Sequence, residues 1–192
     1  MKDKGDKMNT DAAIINEVVL KNGQSMIVRR PVPSDARNMI DYLNTVGGES
    51  NNLLFSKNEF ELTEEQERAH IDKVNSDPNI LMIVGTVNGT IISAAQIHSP
   101  VRKKIAHNSE VCISVRKEYW GKGVGTAIMG ELIRHARERG TIRNISLGVK
   151  ASNSNAIALY EKYGFVKIGV HKDYFNVDGN YDDEILMDLH LC

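Results

Sequence analysis

The sequence predicts an α/β (α+β) domain: a mixed, mostly antiparallel sheet flanked by helices on both faces. Three observations predict it. Two β-rich runs, Ile80–Val87 and Thr90–His98, are joined by Asn88-Gly89, the favoured type I′ hairpin pair, so they run antiparallel. A strand, a helix and a strand follow one another between 110 and 149, which makes that pairing parallel. Stretches with apolar residues at helical spacing stand both before and after these strands, and they supply the covering layers.

Residues 1–12 are polar and charged and read as a flexible tail, leaving 13–192 as a single domain. Ser25–Arg30 is a first strand, halted by Pro31 and Pro33. Ser34–Val46 carries Ala36, Met39, Ile40 and Leu43 at helical spacing, and Gly47-Gly48 ends it. Glu49–Leu62 is irregular. Thr63 with Gln66 forms a capping box, so a helix follows to about Ser76 and stops at Asp77-Pro78. After the hairpin comes a strand over His107–Val115. Val111, Ile113 and Val115 share one of its faces, and Glu110, Cys112 and Ser114 the other. Val124–Arg139 is a helix with Ile128, Leu132 and Ala136 in a stripe, closed by Gly140. Ile142–Val149 is a strand, Ser154–Lys162 a short helix, and Phe165–His171 and Glu184–Leu191 are the closing strands.

Composition excludes several classes. A chain of 192 residues suits one domain, and 41% hydrophobic with 26% charged residues permits a sizeable core. A formal net charge of −1 gives no field to attract nucleic acid or an anionic membrane. No apolar stretch approaches the ~20 residues that span a bilayer, and Met1–Asp11 has no apolar core of a signal peptide. The expectation is a cytoplasmic protein. Cys112 and Cys192 fit neither a zinc site nor a disulfide framework. His98, His135, His171 and His190 are scattered, so no metal is expected. Ser114 lacks the elbow of a nucleophilic serine.

The chemistry lies in the segment Val115–Gly130, VRKEYWGKGVGTAIMG. A strand runs into Gly121, Lys122, Gly123, Val124, Gly125 and Thr126, and a helix starts there. Amides at a helix start are unsatisfied and point one way. Glycines let an anion approach them, and the helix dipole adds partial positive charge. Lys122 adds a full one. Such a loop binds phosphate or pyrophosphate. It does not match the Walker pattern. It also departs from the dinucleotide fingerprint, because Thr126 stands where a glycine is needed and Thr141–Ile145 lacks the acid.

WGKGVG followed by an apolar helix resembles the acetyl-CoA signature of the GNAT superfamily, [QR]xxGx[GA], with Trp120 in place of Arg or Gln. A second motif, Asn153–Phe165 (NSNAIALYEKYGF), resembles the family's NxxAxxLYxxxGF and starts 27 residues after Thr126. Val28-Arg29 and Asp35-Ala36 are similar to its opening strand and helix. The resemblance implies a GNAT-like acyl-CoA N-acyltransferase fold and an enzyme using acetyl-CoA as cosubstrate, with no metal. It places the pyrophosphate on the amides from Gly121 to Thr126 and the pantetheine arm along Ile113, Ser114 and Val115. Asn153 would contact the pantetheine, and its plainer role is capping the next helix.

Acetyl transfer needs a neutral amine, a stabilised oxyanion and a protonated leaving thiolate. The resemblance assigns the proton to Tyr160, whose plainer role is a core tyrosine. Glu110, on the cofactor strand, is the leading general-base candidate and His107 the second. Family members also pass this proton through water. The acceptor side, Glu49–Leu62 and Lys172–Asp183, holds Glu49, Glu59, Glu61, Asp173, Asp178, Asp182 and Asp183. Lining a cleft, they would favour a cationic small-molecule amine; otherwise they are solvated loop charges. Competing readings are a protein or peptide N-acetyltransferase, a silent acyl-CoA-binding module and a nucleotide binder. Edge strands near the C-terminus point to a homodimer.

Overall fold

The computed structural model describes residues 13–191. The tail expected over 1–12, and Cys192, lie outside the described residues. The elements run β1 (Ile14–Val19), β2 (Ser25–Arg29), α1 (Ala36–Glu49), α2 (Glu64–Ser76), β3 (Ile80–Val87), β4 (Thr90–His98), β5 (Asn108–Val115), α3 (Val124–Arg139), β6 (Asn144–Lys150), α4 (Ser154–Lys162), β7 (Val166–Val177) and β8 (Asn180–His190). The eight strands form one sheet in the order β1-β2-β3-β4-β5-β6-β8-β7. Only β5 and β6 pair parallel; every other neighbour pair is antiparallel.

Helices cover both faces, as expected. β3 is buried from Leu81 to Val87 because alternate residues enter different cores. Leu81 and Ile83 join the cluster under α3, with Ile128, Met129 and Leu132. Met82 and Val84 join the cluster under α1 and α2, with Met39, Tyr42 and Val74. The type I′ prediction at Asn88-Gly89 holds, since both residues have positive φ, 50° and 79°. The capping box also forms: Gln66 N–H donates to Thr63 Oγ1 at 3.2 Å, and Thr63 N–H donates to Gln66 Oε1 at 2.8 Å.

Three sequence expectations are corrected. Ser25–Arg30 is not the first strand: β1 precedes it, with an irregular register at Ile14/Asn16 and with Ile14 and Val19 exposed, which breaks the alternation. Gly47-Gly48 does not end α1, which continues to Glu49. Gly47 serves close approach instead: a Cβ there would lie 2.6 Å from the Ser56 carbonyl oxygen of the following loop. The closing strands extend through Lys172–Asp183, which makes a hairpin turning at Asp178-Gly179, both at positive φ.

Val28-Arg29 and Asp35-Ala36 turn out to be a structural latch. Arg29 Nη1 and Nη2 donate to both Asp35 oxygens at 2.6 and 2.8 Å, a bidentate pair, and Val32 N–H donates to Asp35 Oδ2 at 2.8 Å. This fixes the start of α1 against β2, and α1 carries Tyr42 and Glu49 toward the functional end of β5.

Candidate active site

β5 and β6 pair at only three positions, Asn108–Asn144, Ser109–Ile145 and Glu110–Ser146, and then splay apart. The strand edge beyond Glu110 is therefore without a ladder partner on its β6 side. A cleft of about 540 Å³ occupies the split, within the range of small-molecule sites. Val111–Val115 form one wall and Gly148–Lys150 the other. Trp120, Gly121 and Gly123–Thr126 close one end, while Asn153, Leu159 and Tyr160 of the α4 segment line the side.

The glycine loop has the form that an anion site requires. Gly121 and Gly123 take positive φ, 72° and 95°, and Gly123 is the N-cap of α3. The first helical hydrogen bond is Ala127 N–H to Gly123 C=O at 3.0 Å. Among the described residues, the amides of Gly121, Gly123, Val124, Gly125 and Thr126 make no bond. They are free at the positive end of a 16-residue helix. The loop is held by Trp120, whose Nε1–H donates to Val115 C=O at 2.8 Å. Lys21 N–H donates to Lys122 C=O at 3.0 Å. The tryptophan in the Arg/Gln position thus ties the loop to the end of β5.

Other predicted residues divide. Ile113, Ser114 and Val115 line the cleft, as do Asn153 and Tyr160. Asn153 also caps α4, accepting from Ala156 N–H at 3.3 Å. Ser114 Oγ lies 2.9 Å from the Tyr42 hydroxyl, and burial raises that phenol's pKa. Lys122 does not line the cleft; its ammonium sits 5.0 Å over the Tyr119 ring. Lys21, which the sequence did not single out, lines the cleft beside Gly123 instead.

Glu110 is not brought to the cleft. It stands at the last paired position of β5, before the split opens. Its side chain is 70% exposed, with His98 Nε2 3.9 Å away. His107 is exposed and outside the cleft lining too. Of the acceptor-side acids, only Glu49 lines the cleft, and its Oε2 accepts from Lys117 N–H at 2.7 Å. Glu184 was not singled out by its sequence, yet it is a cleft residue and 8% exposed. A glutamate opening an apolar closing strand was the signal available.

Tyr160 is buried, and burial pushes its phenol up to about 12, with the nearby Cys112 thiol adding to the shift. Cys112 is exposed on the cleft, and desolvation raises its thiol pKa as well.

Residues 49–165, more than half of the chain, match the model of the acetyltransferase (GNAT) family. The chain belongs to the GNAT acetyltransferase family. The expectations of an acetyl-CoA-dependent N-acetyltransferase, and of acetyl-CoA as its cosubstrate, stand with that membership. Among curated relatives, the L-amino acid N-acetyltransferase AaaT of Escherichia coli is 28% identical over 116 residues, 60% of this chain and 72% of its own. The ribosomal protein bS18-alanine N-acetyltransferase of the same organism is 36% identical over 79 residues, 41% of this chain and 53% of its own. This GNAT chain thus spans about half the length of that second relative. A GNAT acetyltransferase structure from Streptococcus pneumoniae superposes with a TM-score of 0.82 at 28% identity, covering 86% of this chain and 99% of its own. The yncA structure from Salmonella typhimurium, solved with acetyl-CoA, gives 0.74 at 18% identity over 87% and 94% and shows the shared fold. Among the described residues, no cluster of His, Cys, Asp or Glu could hold a metal, and no helix is long and apolar enough to cross a membrane.

Proposed function

We propose that this GNAT chain moves an acetyl group from acetyl-CoA to the primary amine of a small molecule, by direct attack in a ternary complex. The observation that carries this is one continuous cleft shared by the free glycine-loop amides, the unpaired edge of β5 and Tyr160. On this reading the amides hold the pyrophosphate. The β5 edge holds the pantetheine arm and offers an N–H to the carbonyl oxygen as charge develops on it. Tyr160 returns a proton to sulfur. The loop Ser50–Leu54 lines the far side of the cleft and favours a confined acceptor. The likeness to an L-amino acid N-acetyltransferase supports the same size class.

A second reading, acetylation of a protein N-terminus, is favoured by the bS18-alanine relatives, whose likeness spans 41% of this chain. One screen separates them: thiol release from acetyl-CoA with amino acids, polyamines, aminoglycosides and N-terminal peptides. We expect a small amine to exceed every peptide in kcat/KM by at least about tenfold, a difference of about 1.4 kcal/mol. Turnover of peptides alone selects the second reading. Tight acetyl-CoA binding with no turnover selects a silent acyl-CoA module. The proposal extends to a homodimer through β7, an edge strand with Val166, Ile168 and Val170 48–56% exposed. Sedimentation should give twice the 21.4 kDa chain mass; a monomer at all concentrations removes the dimer.

A further inference from the structure

We infer that Glu184 receives the acceptor amine: its free carboxylate oxygen binds the incoming ammonium and takes the proton that must leave before attack. This rests on the acetyl-transfer reading above. It supplies the proton acceptor that neither Glu110 nor His107, both outside the cleft, is placed to be.

Register fixes the location. Carrying the β5–β6 pairing two residues past Glu110–Ser146 puts Gly148 level with Cys112, where the strands part. Glu184 pairs with Lys150 across β6 and β8. Its side chain reaches back over Gly148, on the face opposite Leu147 and Val149 of the main core. A Cβ on Gly148 would stand 2.1 Å from Glu184 Oε1, so the wall is kept bare for the carboxylate. Tyr160 comes from the α4 side and is close enough to Cys112 to feel its charge. Glu184 and Tyr160 thus approach the split from opposite faces of the sheet. A thioester threaded between the strands would have one on each side.

The state of the side chain points the same way. Glu184 is 8% exposed, yet it has one partner, His171, whose Nδ1–H donates to Oε2 at 2.9 Å. Oε1 has no hydrogen bond among the described residues. That oxygen opens on the cleft, where an incoming ammonium can reach it. Neighbouring acids are otherwise engaged. Glu49 holds the Lys117 amide, Asp183 accepts from Lys172 Nζ at 2.6 Å, and Asp182 lies 3.7 Å from Lys150 Nζ. His171 is half exposed and positions the carboxylate from the solvent side.

The proton count closes. An ammonium carries three protons and the amide product keeps one. The first goes to Glu184 Oε1 and from there to solvent at the open cleft, while His171 Nδ1–H holds Oε2 in place. The nitrogen then attacks the thioester carbon, forming the C–N bond. As the C–S bond breaks, its electron pair leaves on sulfur. Sulfur takes the proton of Tyr160, and the second nitrogen proton restores the phenol. An α-ammonium, with a pKa near about 7.7–8.0, yields its proton to a carboxylate far more readily than a side-chain ammonium near about 10.4. The fitting acceptor is therefore an α-amine.

The test compares the native chain with Glu184→Gln and His171→Ala. Thiol release is measured from about pH 6.5 to about pH 9 with the best acceptor of the screen. Acetyl-CoA affinity should stay within about twofold. For Glu184→Gln, kcat/KM should fall about 100-fold at pH 6.5 and recover to within about tenfold by pH 9, because the free amine then exists in solution. Lys150, Cys112 and Tyr160 share this end of the cleft and remain in both variants, and His171 remains in Glu184→Gln. His171→Ala, at an exposed position, should fall about tenfold. A deficit that does not change with pH, or none, overturns the inference. If Glu184→Gln does not fold, unchanged His171→Ala overturns it. If the native chain acetylates nothing, the proposed function falls. Calorimetry of L-alaninamide on the CoA-loaded chain then decides this point alone. At least tenfold weaker binding in Glu184→Gln supports it; equal binding, or none to the native chain, overturns it.

Discussion

Gly123→Val is expected to weaken acetyl-CoA binding by more than about 100-fold while the chain still folds. Gly123 has φ +95°, and the nearest atom to an added Cβ is Lys21 Cγ at 3.9 Å, so there is space for a side chain but not for its backbone angle. Left-handed backbone costs a non-glycine residue roughly 1–2 kcal/mol, and a β-branched one more. The loop relieves this by rotating the peptides around position 123, which turns away the amides that start α3. Charge-assisted hydrogen bonds contribute about 1.5–3 kcal/mol each. Losing two removes about 3 kcal/mol or more, hence about 100-fold. Isothermal calorimetry with acetyl-CoA measures it, with NAD and ATP as ligands that should not bind the native chain. Gly123→Ala should fall between the two. A folded Gly123→Val chain with native affinity would remove the loop from the cofactor site.

That loop was also the part of the molecule most legible in advance. Its information is local: a run of glycines, a helix start and an apolar stripe lie within one stretch of chain. Val124–Arg139 and Ser154–Lys162 therefore carry the same bounds in sequence and structure. Glu184 was not legible for the opposite reason. Its position over Gly148 depends on the pairing of β6 with β8 and on the splay of β5 from β6, which no local pattern encodes. Glu110 failed for a related cause. Alternation gave its face correctly, but only the register shows that it lies before the split. Gly47 misled because the same residue that ends helices also permits close contact, and here the contact is with the Ser56 backbone.

Tyr160→Phe tests the other half of the chemistry. It is expected to lower kcat on the order of several hundred-fold, in the usual range for a proton-transfer group, with little change in acetyl-CoA affinity. The substitution is clean. The ring packs on Phe165 with centroids 5.8 Å apart, and phenylalanine keeps that contact. The hydroxyl has no hydrogen-bond partner among the described residues, so removing it orphans nothing and stability should hold. The phenol's raised pKa, about 12, keeps it protonated throughout the working range. Its contribution therefore does not titrate. The ratio of native to Tyr160→Phe kcat should stay flat between about pH 6 and about pH 10, unlike the deficit expected for Glu184→Gln. The two profiles together distinguish the group that delivers a proton to sulfur from the group that removes one from nitrogen. A native kcat in Tyr160→Phe, or a ratio that collapses as pH rises through 8, would take the acid role away from Tyr160.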